Sequence, residues 1–185
     1  ATQEVACPAG SYNADGNDDC DACAAGTYQT NTGQTECTTV TAGYFATDTG
    51  GTSYVSSGAT HEAACVEGTF GDGTGACAAA RDGYKAADAN GDYIASGATQ
   101  EVACPAGSYN ADGNDCDACG VGTYQTTTGQ TECTAVTAGS FATDRGGTGY
   151  INSGATHEAV CGQGTFGDGT GACGAVTAGY FATDS

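Results

Sequence analysis

Short pairs of β-prone residues alternate with glycine-containing turns along the whole chain. Thr27-Tyr28 is followed by a turn at Thr32-Gly33, and Thr69-Phe70 is followed by one at Asp72-Gly73. Such pairs suit strands, and glycine suits the tight reversals between them. No segment has apolar residues at helical spacing with capping residues, and the glycine density disfavours helices. The pattern predicts an all-β chain of short hairpins.

One kind of predicted hairpin is bounded by cysteine. It reads Cys-x-x-Gly-Ser/Thr-Tyr/Phe, then a turn that contains glycine, then a second cysteine. We expect a staple at the ends of each hairpin of this kind. The pattern occurs six times, at Cys7 to Cys20, Cys23 to Cys37, Cys65 to Cys77, Cys104 to Cys116, Cys119 to Cys133 and Cys161 to Cys173.

A second kind of hairpin contains no cysteine. It runs from Gly43 to Asp48, turns at Gly50-Gly51 and continues from Ser53 to Ser56. We expect the pair Tyr44-Phe45 to meet Tyr54-Val55 across that turn, because facing apolar side chains attract each other. Two further copies run from Gly83 to Ser96, turning at Asn90-Gly91, and from Gly139 to Ser153, turning at Gly146-Gly147.

The chain contains two copies of one sequence repeat. Residues 1–12 return unchanged at residues 98–109, which lie 97 residues further on. Residues 59–65 restate the opening residues 1–7 with a different continuation, so each unit has two halves. The predicted units are residues 1–97, with a four-cysteine half 1–58 and a two-cysteine half 59–97, and residues 98–185, with a four-cysteine half 98–154 and a two-cysteine half 155–185.

The second unit stops at Ser185, inside its two-cysteine half. Repeat proteins usually finish on a capping element. We therefore expect this chain to be a segment of a longer array.

The amino-acid composition indicates that a large hydrophobic core is not what stabilises this chain. The chain has 32 Gly and 12 Cys but no Met and no Trp, so the bulky side chains of a thick core are scarce. Disulfides are the substitute, and they persist in oxidising compartments, which indicates an extracellular or cell-surface protein. The predicted fold is an all-β, elongated tandem array of short disulfide-stapled β-hairpins with little hydrophobic core.

Part of each unit resembles a known kind of module. The segment Cys7 to Tyr12, the return at Cys20 to Cys23 and the segment Ala25 to Cys37 are similar to the cysteine-rich modules of tumour-necrosis-factor receptors and to ephrin-receptor-like ectodomain repeats. The resemblance implies an extended extracellular rod of ladder-like disulfides, with sequential pairing in the hairpin that begins Cys-Pro-x-Gly-x-Tyr. Those families have further cysteines and lack the long cysteine-free hairpins, so the resemblance extends to architecture and compartment and not to ligand binding.

Counting alone cannot decide how twelve cysteines pair. Repetition narrows the choice, because the shorter half holds only Cys65 and Cys77, and pairing them closes a hairpin of the same length class as the others. Each such closure stabilises the fold by about 3 kcal/mol. The repeat spacing leads to a hypothesis of sequential pairing: Cys7 with Cys20, Cys23 with Cys37, Cys65 with Cys77, Cys104 with Cys116, Cys119 with Cys133 and Cys161 with Cys173.

The charge of the chain excludes some classes of partner. The 22 acidic and 3 basic residues give a net charge of −19 at pH 7. A polyanion is not attracted to nucleic acid or to anionic lipid, and no apolar run reaches the length of a membrane span. We expect no nucleic-acid partner and no membrane insertion in this segment. The expected partners are other copies of the chain, head to tail or side by side, and glycans.

Three acidic turns resemble fragments of calcium loops. None follows the full twelve-residue calcium pattern with its final glutamate, and type I′ turns favour the same Asn-Gly and Asp-Gly pairs. Turn formation is therefore the preferred interpretation, calcium bound between chains is the alternative, and no other cofactor is expected. The candidate calcium ligands are Asp15, Asp18, Asp88, Asp92, Asp112 and Asp115.

The other reactive residues do not predict catalysis, and we expect no enzyme. The pairs Cys20-x-x-Cys23 and Cys116-x-x-Cys119 would supply half of a zinc site, but disulfide partners at hairpin spacing are the preferred interpretation. His61 and His157 occupy one position in two repeats, and one type of histidine in a thin repeat offers no triad geometry.

Any carbohydrate is expected on hydroxyl groups. No Asn-x-Ser/Thr sequon occurs, whereas threonines are plentiful near the predicted hairpin tips. The preference of threonine for strands also accounts for many of them. The candidate O-glycosylation sites are Thr30, Thr32, Thr126, Thr127 and Thr128.

These patterns favour a structural subunit of an extracellular filament, sheath or surface appendage, because near-identical units present identical contacts. The alternative is the stalk or ligand-binding ectodomain of a cell-surface receptor or adhesin, and a third hypothesis is a calcium-binding matrix protein. A receptor needs one distinctive patch, which so faithful a duplication does not offer.

Overall fold

The computed structural model describes residues 3–17 and 19–183. In those residues every regular element is a short strand, and each sheet pairs two strands that are neighbours along the chain. The all-β tandem array of stapled hairpins is thereby confirmed. The strands are β1 (Ser11–Tyr12), β2 (Asp21–Ala22), β3 (Thr27–Tyr28), β4 (Thr38–Thr39), β5 (Tyr44–Thr47), β6 (His61–Ala64), β7 (Thr69–Phe70), β8 (Ala78–Ala79), β9 (Tyr84–Ala87), β10 (Gln100–Ala103), β11 (Ser108–Tyr109), β12 (Asp117–Ala118), β13 (Thr123–Tyr124), β14 (Thr134–Ala135), β15 (Ser140–Thr143), β16 (His157–Val160), β17 (Thr165–Phe166) and β18 (Gly174–Ala175).

Each cysteine hairpin is closed by its own disulfide, and no cysteine is free. The paired cysteines are 12 to 14 residues apart, and their Cα atoms are separated by 5.6 to 5.8 Å. The second strand of each hairpin directly follows its second cysteine. This is the sequential pairing that the repeat spacing predicts: Cys7–Cys20, Cys23–Cys37, Cys65–Cys77, Cys104–Cys116, Cys119–Cys133 and Cys161–Cys173.

The prediction for the cysteine-free hairpin is wrong in its second strand. Strand β5 pairs along its full length with β6, from Tyr44 opposite Ala64 to Thr47 opposite His61. The predicted partner, residues 53–56, contributes only one bridge, from Tyr54 to Thr47. The reason is that the four-residue ladder with β6 satisfies more backbone groups than the single bridge does. Residues 54 and 55 still meet β5, because the Val55 amide donates to the Ala46 carbonyl at 2.9 Å, and Tyr44, Tyr54 and Val55 pack against the same apolar cluster.

The predicted turn type, type I′, is also wrong, although the predicted turn positions are correct. Type I′ needs positive φ at both central residues, but every positive φ in the described residues belongs to glycine. In the turn at 88–91, the Asp88 carbonyl accepts the Gly91 amide at 3.1 Å, and the Asp88 carboxylate accepts the Asn90 amide at 2.8 Å. The carboxylate stabilises an ordinary turn with a left-handed glycine at its end.

The buried clusters are small and are built alike in the two halves of the chain. Cysteine and alanine account for most of the buried apolar residues. One cluster consists of Val40, Ala46 and Ala59, with Tyr28, Tyr44, Tyr54 and Val55 packed against it. The other consists of Val136, Ala142 and Ala155, with Tyr124, Tyr150 and Ile151 packed against it.

Backbone hydrogen bonds join successive hairpins. The Cys65 amide donates to the Gly43 carbonyl at 2.8 Å, which extends the β5–β6 ladder, and the Gly97 amide of a later hairpin donates to the Cys65 carbonyl at 2.8 Å. Gly43 has a φ of +87°, and a Cβ there would collide with the backbone of Gly97. Only glycine combines that left-handed backbone with so close an approach. The same glycine-to-cysteine bond between hairpins joins Gly33 to Cys7, Gly58 to Cys23, Gly129 to Cys104 and Gly154 to Cys119.

The chain forms two compact units. One comprises Ala1–Ala80 and Ala86–Glu101, and the other comprises Arg81–Lys85 and Val102–Ser185. The repeat boundaries at residues 58, 97 and 154 describe the sequence and stay a prediction for the folding units.

We expect Gly43→Ala to destabilise the protein by more than Gly51→Ala. Both glycines have positive φ, which costs an alanine about 1 to 2 kcal/mol. Gly51 has open space around it, whereas a Cβ on Gly43 meets the Gly97 backbone and adds an overpacking cost of about 1 to 3 kcal/mol. Chemical denaturation with the disulfides intact measures the difference. Equal losses for the two variants would contradict the close glycine contact.

Candidate functional site

The acidic turns use their carboxylates to hold their own backbone. Asp15 accepts the Asn17 amide at 3.1 Å, and Asp112 accepts the Asn114 amide at 3.0 Å. Asp115 accepts the Cys116 amide at 2.8 Å and lies 4.0 Å from Lys85 Nζ. In the part of the chain that the structure describes, no group of three or more acidic, histidine or cysteine side chains is arranged to hold a metal ion.

Among the calcium candidates, Asp88 makes the fullest set of turn contacts. Its Oδ1 atom accepts the amides of Asn90 and Asp92, at 2.8 Å and 3.0 Å. These bonds, first of all the one from Asp92, hold the pKa of Asp88 below its ordinary value because they favour the charged form. Asp18 lies outside the described residues, and calcium binding between chains stays a prediction.

The remaining sequence candidates lie apart from one another. The Cys20 and Cys23 sulfurs belong to separate disulfides, so neither is a thiolate that zinc would bind. His61 Nδ1 shares a hydrogen bond of 2.8 Å with the Thr60 hydroxyl, and His157 makes the same contact with Thr156. His61 and His157 are the first residues of β6 and β16, which are equivalent strands of the two repeats.

The candidate glycosylation sites are exposed, and they lie between the paired strands of their hairpins. They follow β3 and β13, outside the paired residues. The Thr127 hydroxyl donates to Gln125 Oε1 at 3.1 Å, and the hydroxyls of the strand residues Thr27 and Thr123 donate to backbone carbonyls, at 2.8 Å and 2.9 Å. The exposed residues of the two equivalent tips are Thr30, Thr32, Thr126, Thr127 and Thr128.

A patch of exposed apolar side chains lies within residues 160–181. Tyr180 and Phe181 are 78% and 83% exposed, and Val160 and Phe166 are also exposed. Together with Gly139 they line a groove of about 790 Å³. Contiguous exposed apolar groups of this kind mark interaction surfaces in soluble proteins.

The same residue types are paired elsewhere in the chain. Residues 180–183 have the sequence of β5 but form no strand, whereas β5 pairs with β6. Phe70, the counterpart of Phe166, is half-buried and bridges to Ala98. The two copies of this four-residue sequence therefore differ in both pairing and exposure.

A second groove, of about 660 Å³, is lined by Val5, Ala6, Asn13 and Gly33 among others. Residues 3–6 have the sequence of β10, which pairs with β9, but here they are unpaired. Val5 is 80% exposed.

Sequence reasoning did not single out residues 3–6 and 180–183. The signal that identifies them is the comparison of equivalent positions. Residues 3–6 match 100–103, and residues 180–183 match 44–47, yet only the internal copies are paired.

We expect the amide proton shift of Asn90 to titrate with a midpoint below the ordinary aspartate range. A carboxylate with a lowered pKa stabilises its turn above the ordinary pKa, and the stabilisation is lost as the pH falls through the lower folded value. NMR between neutral pH and strong acid measures this midpoint. Asp88→Asn should abolish the transition, and a midpoint at or above the ordinary value would contradict the turn geometry.

We also expect the natural protein to weigh more than its bare polypeptide, with O-linked sugar on Thr30, Thr32 or Thr126 to Thr128. Peptide mapping should find Thr27 and Thr123 unmodified, because they lie in the paired strands β3 and β13 and not at the exposed tips. An intact mass equal to the bare polypeptide would remove this prediction.

Within the described residues, no helix has the length and apolar character that a membrane span requires. The six intramolecular disulfides indicate a protein of an oxidising compartment. The stapled tandem hairpins make it a cysteine-rich repeat module. A scan of protein-family models finds no match to this chain, and a search of curated proteins finds none.

Proposed function

We propose that the chain is a structural subunit of an extracellular filament, sheath or surface appendage. The observation that carries this proposal is the near-identity of the two buried clusters. Val40, Ala46 and Ala59 of one cluster correspond to Val136, Ala142 and Ala155 of the other. Units built alike present the same surface to each neighbour, which a regular assembly needs.

The polar contacts around these clusters are also duplicated. Glu62 accepts the Thr41 amide at 2.8 Å, and Glu158 accepts the Thr137 amide at 2.9 Å. Burial, followed by the nearby Glu62, raises the pKa of Tyr28, and Tyr124 shows the same shift through burial and Glu158. The two clusters are therefore surrounded by the same charged and polar contacts, in addition to having the same apolar residues.

The exposed apolar side chains of Val160, Phe166, Tyr180 and Phe181 support self-association. They lie on a chain whose net charge is −19, so a second copy approaches only when salt screens the repulsion.

The proposed location is extracellular, with O-linked sugar on the exposed threonines. Disulfides at this density persist in secreted proteins, and the threonine-bearing tips are accessible to modifying enzymes. The structural role requires no catalytic group.

A second candidate function is the stalk or ectodomain of a cell-surface receptor or adhesin. The feature that favours it is the motif Cys-Pro-x-Gly-x-Tyr with sequential disulfides, which is similar to tumour-necrosis-factor-receptor and ephrin-receptor-like modules. Electron microscopy of native material separates the two functions, since regular filaments favour the first and isolated rods favour the second.

We expect native filaments to keep their form on heating in non-reducing buffer and to disassemble when a reductant accompanies a denaturant. Each cysteine hairpin is closed by a disulfide between cysteines that are 12 to 14 residues apart. Closing a loop of that size contributes about 3 kcal/mol to the free energy of unfolding. Electron microscopy before and after each treatment provides the measurement. Denaturant without reductant is the matched control.

Two outcomes would contradict the filament. The first is purified chain that stays monomeric at high concentration with both salt and calcium present. The second is filaments that keep their form after complete reduction in denaturant, because the hairpins would then not depend on their staples.

A further inference from the structure

We propose that the peptide bond between Arg145 and Gly146 is a site of limited proteolysis, cut by a trypsin-like serine protease that cleaves after a basic residue. Hydrolysis adds one water across this bond and leaves a carboxylate on Arg145 and an ammonium group on Gly146. Such a cut requires no self-association, so it is independent of the proposed filament. The scarcity of basic residues, the exposure of one turn and the positions of the disulfides point to it.

Three positions in the chain carry a side chain that such a protease accepts. Enzymes of this class bind a lysine or arginine side chain in an acidic specificity pocket. The 185 residues include only Arg81, Lys85 and Arg145 as lysine or arginine. The protease therefore has three candidate bonds, and their structural surroundings differ.

Arg145 lies in an exposed turn. Residues 144–149 are all exposed and belong to no strand. The Asp144 carboxylate accepts the Gly146 amide at 2.9 Å, and the Asp144 carbonyl accepts the Gly147 amide at 3.1 Å. A protease binds its substrate as an extended segment, so this turn has to open before cleavage. Opening breaks two solvent-exposed hydrogen bonds and uncovers little apolar surface, which makes it a local transition of low cost.

Arg81 is also exposed, but the residues that follow it are held by the next hairpin. Its guanidinium carbon lies 4.2 Å from the centre of the Tyr84 ring. Gly83 is buried, and its amide donates to the Asn110 carbonyl at 2.7 Å. A Cβ on Gly83 would collide with the backbone of Gly129. An extended segment centred on the bond after Arg81 includes Gly83, so cleavage there requires this contact between hairpins to break.

Lys85 is protected by its position in a strand. It lies in β9, which pairs with β10, and its side chain is 19% exposed with Nζ 4.0 Å from Asp115 Oδ1. The bond after Lys85 leads into Ala86, which is fully buried. The paired strand has to separate before a protease can bind it, so Lys85 is a poor substrate in the folded chain.

The first unit contains the same turn without the arginine. The Asp48 carboxylate accepts the Gly50 amide at 2.9 Å, and the Asp48 carbonyl accepts the Gly51 amide at 3.1 Å. Thr49 occupies the position of Arg145 and is exposed. The two turns share their hydrogen bonds and differ at the residue that the protease recognises. Thr49 is therefore a matched control site within the same chain.

No disulfide crosses the proposed cut. All 12 cysteines belong to the six local pairs, and the pairs on either side of residue 145 are Cys119–Cys133 and Cys161–Cys173. A cut within a cysteine hairpin would leave its fragments joined by the staple. A cut after Arg145 instead produces two fragments that share no covalent bond, even without a reductant.

The two sides of the cut stay together through non-covalent contacts. Strands β15 and β16 lie on opposite sides of residue 145 and pair over four residues. The Ile151 amide donates to the Ala142 carbonyl at 3.0 Å. The apolar cluster also spans the cut, with Val136 and Ala142 before it and Ala155 after it. The cleaved chain therefore keeps its fold in native buffer and separates into fragments when it is denatured.

The first experiment treats the folded full chain, with its disulfides intact, with trypsin and identifies the products by mass spectrometry. Wild type should be cut once, after Arg145, and Arg145→Thr should stay intact. Thr49→Arg should gain a second cut, after residue 49, because that turn has the same geometry. Wild type that has been reduced, alkylated and denatured should be cut after all three basic residues, since the protection of Arg81 and Lys85 comes from the fold.

Three outcomes would overturn the proposal. The first is a folded wild-type chain that trypsin cuts earlier after Arg81 or Lys85 than after Arg145. The second is a folded wild-type chain that is not cut after Arg145. The third is a Thr49→Arg chain that is not cut after residue 49, because susceptibility would then not follow from the turn. Circular dichroism before digestion verifies that the variants fold like wild type.

The second experiment examines the cleaved wild-type chain. In native buffer both fragments should elute together in size-exclusion chromatography, at the volume of the intact chain. A denaturing gel without reductant should separate them, whereas Arg145→Thr treated in the same way should give one band of full length. Separation of the fragments in native buffer would contradict the non-covalent contacts across the cut. A single full-length band from the cleaved wild type would contradict the absence of a disulfide across residue 145.

Discussion

The backbone hydrogen bond from the amide of a left-handed glycine to the carbonyl of an earlier cysteine is the contact on which the rest of the structure depends. Gly97 makes it to Cys65 at 2.8 Å, and the same bond recurs in both units. It places one hairpin directly on the backbone of the hairpin before it. Side chains have little room at such a contact, which explains why cysteine and alanine dominate the interior.

The disulfides and these backbone bonds have separate roles. A disulfide closes one hairpin, as Cys65–Cys77 does, but it joins no hairpin to the next. The backbone bonds provide the stacking, and the small clusters around Val40 and Val136 add apolar burial at one place in each unit. Because each element contacts only its near neighbours, a strand at the edge of a repeat is complete only when the following repeat is present.

Acidic residues have a local structural role in this fold. Asp88 and Asp112 accept the amides that a reversing backbone would otherwise leave unpaired, and their charge still faces solvent. This use of carboxylates as acceptors for turn amides accounts for the calcium-like spacing of the turns. Carboxylate and amide groups at intervals of two residues suit both an Asx turn and a cation loop. The surface charge therefore follows partly from turn chemistry.

The sequence by itself determined the features that depend on residues close together in the chain. The hairpin positions, the turn glycines at 51, 91 and 147, and the sequential disulfides all follow from spacings of at most 14 residues. The tertiary structure decided two other matters: the pairing of β5 with His61–Ala64 in place of residues 53–56, and the close approach of the Gly43 backbone to Gly97. Both depend on contacts between segments that lie further apart in the sequence than one turn, and local spacing does not specify which segments meet.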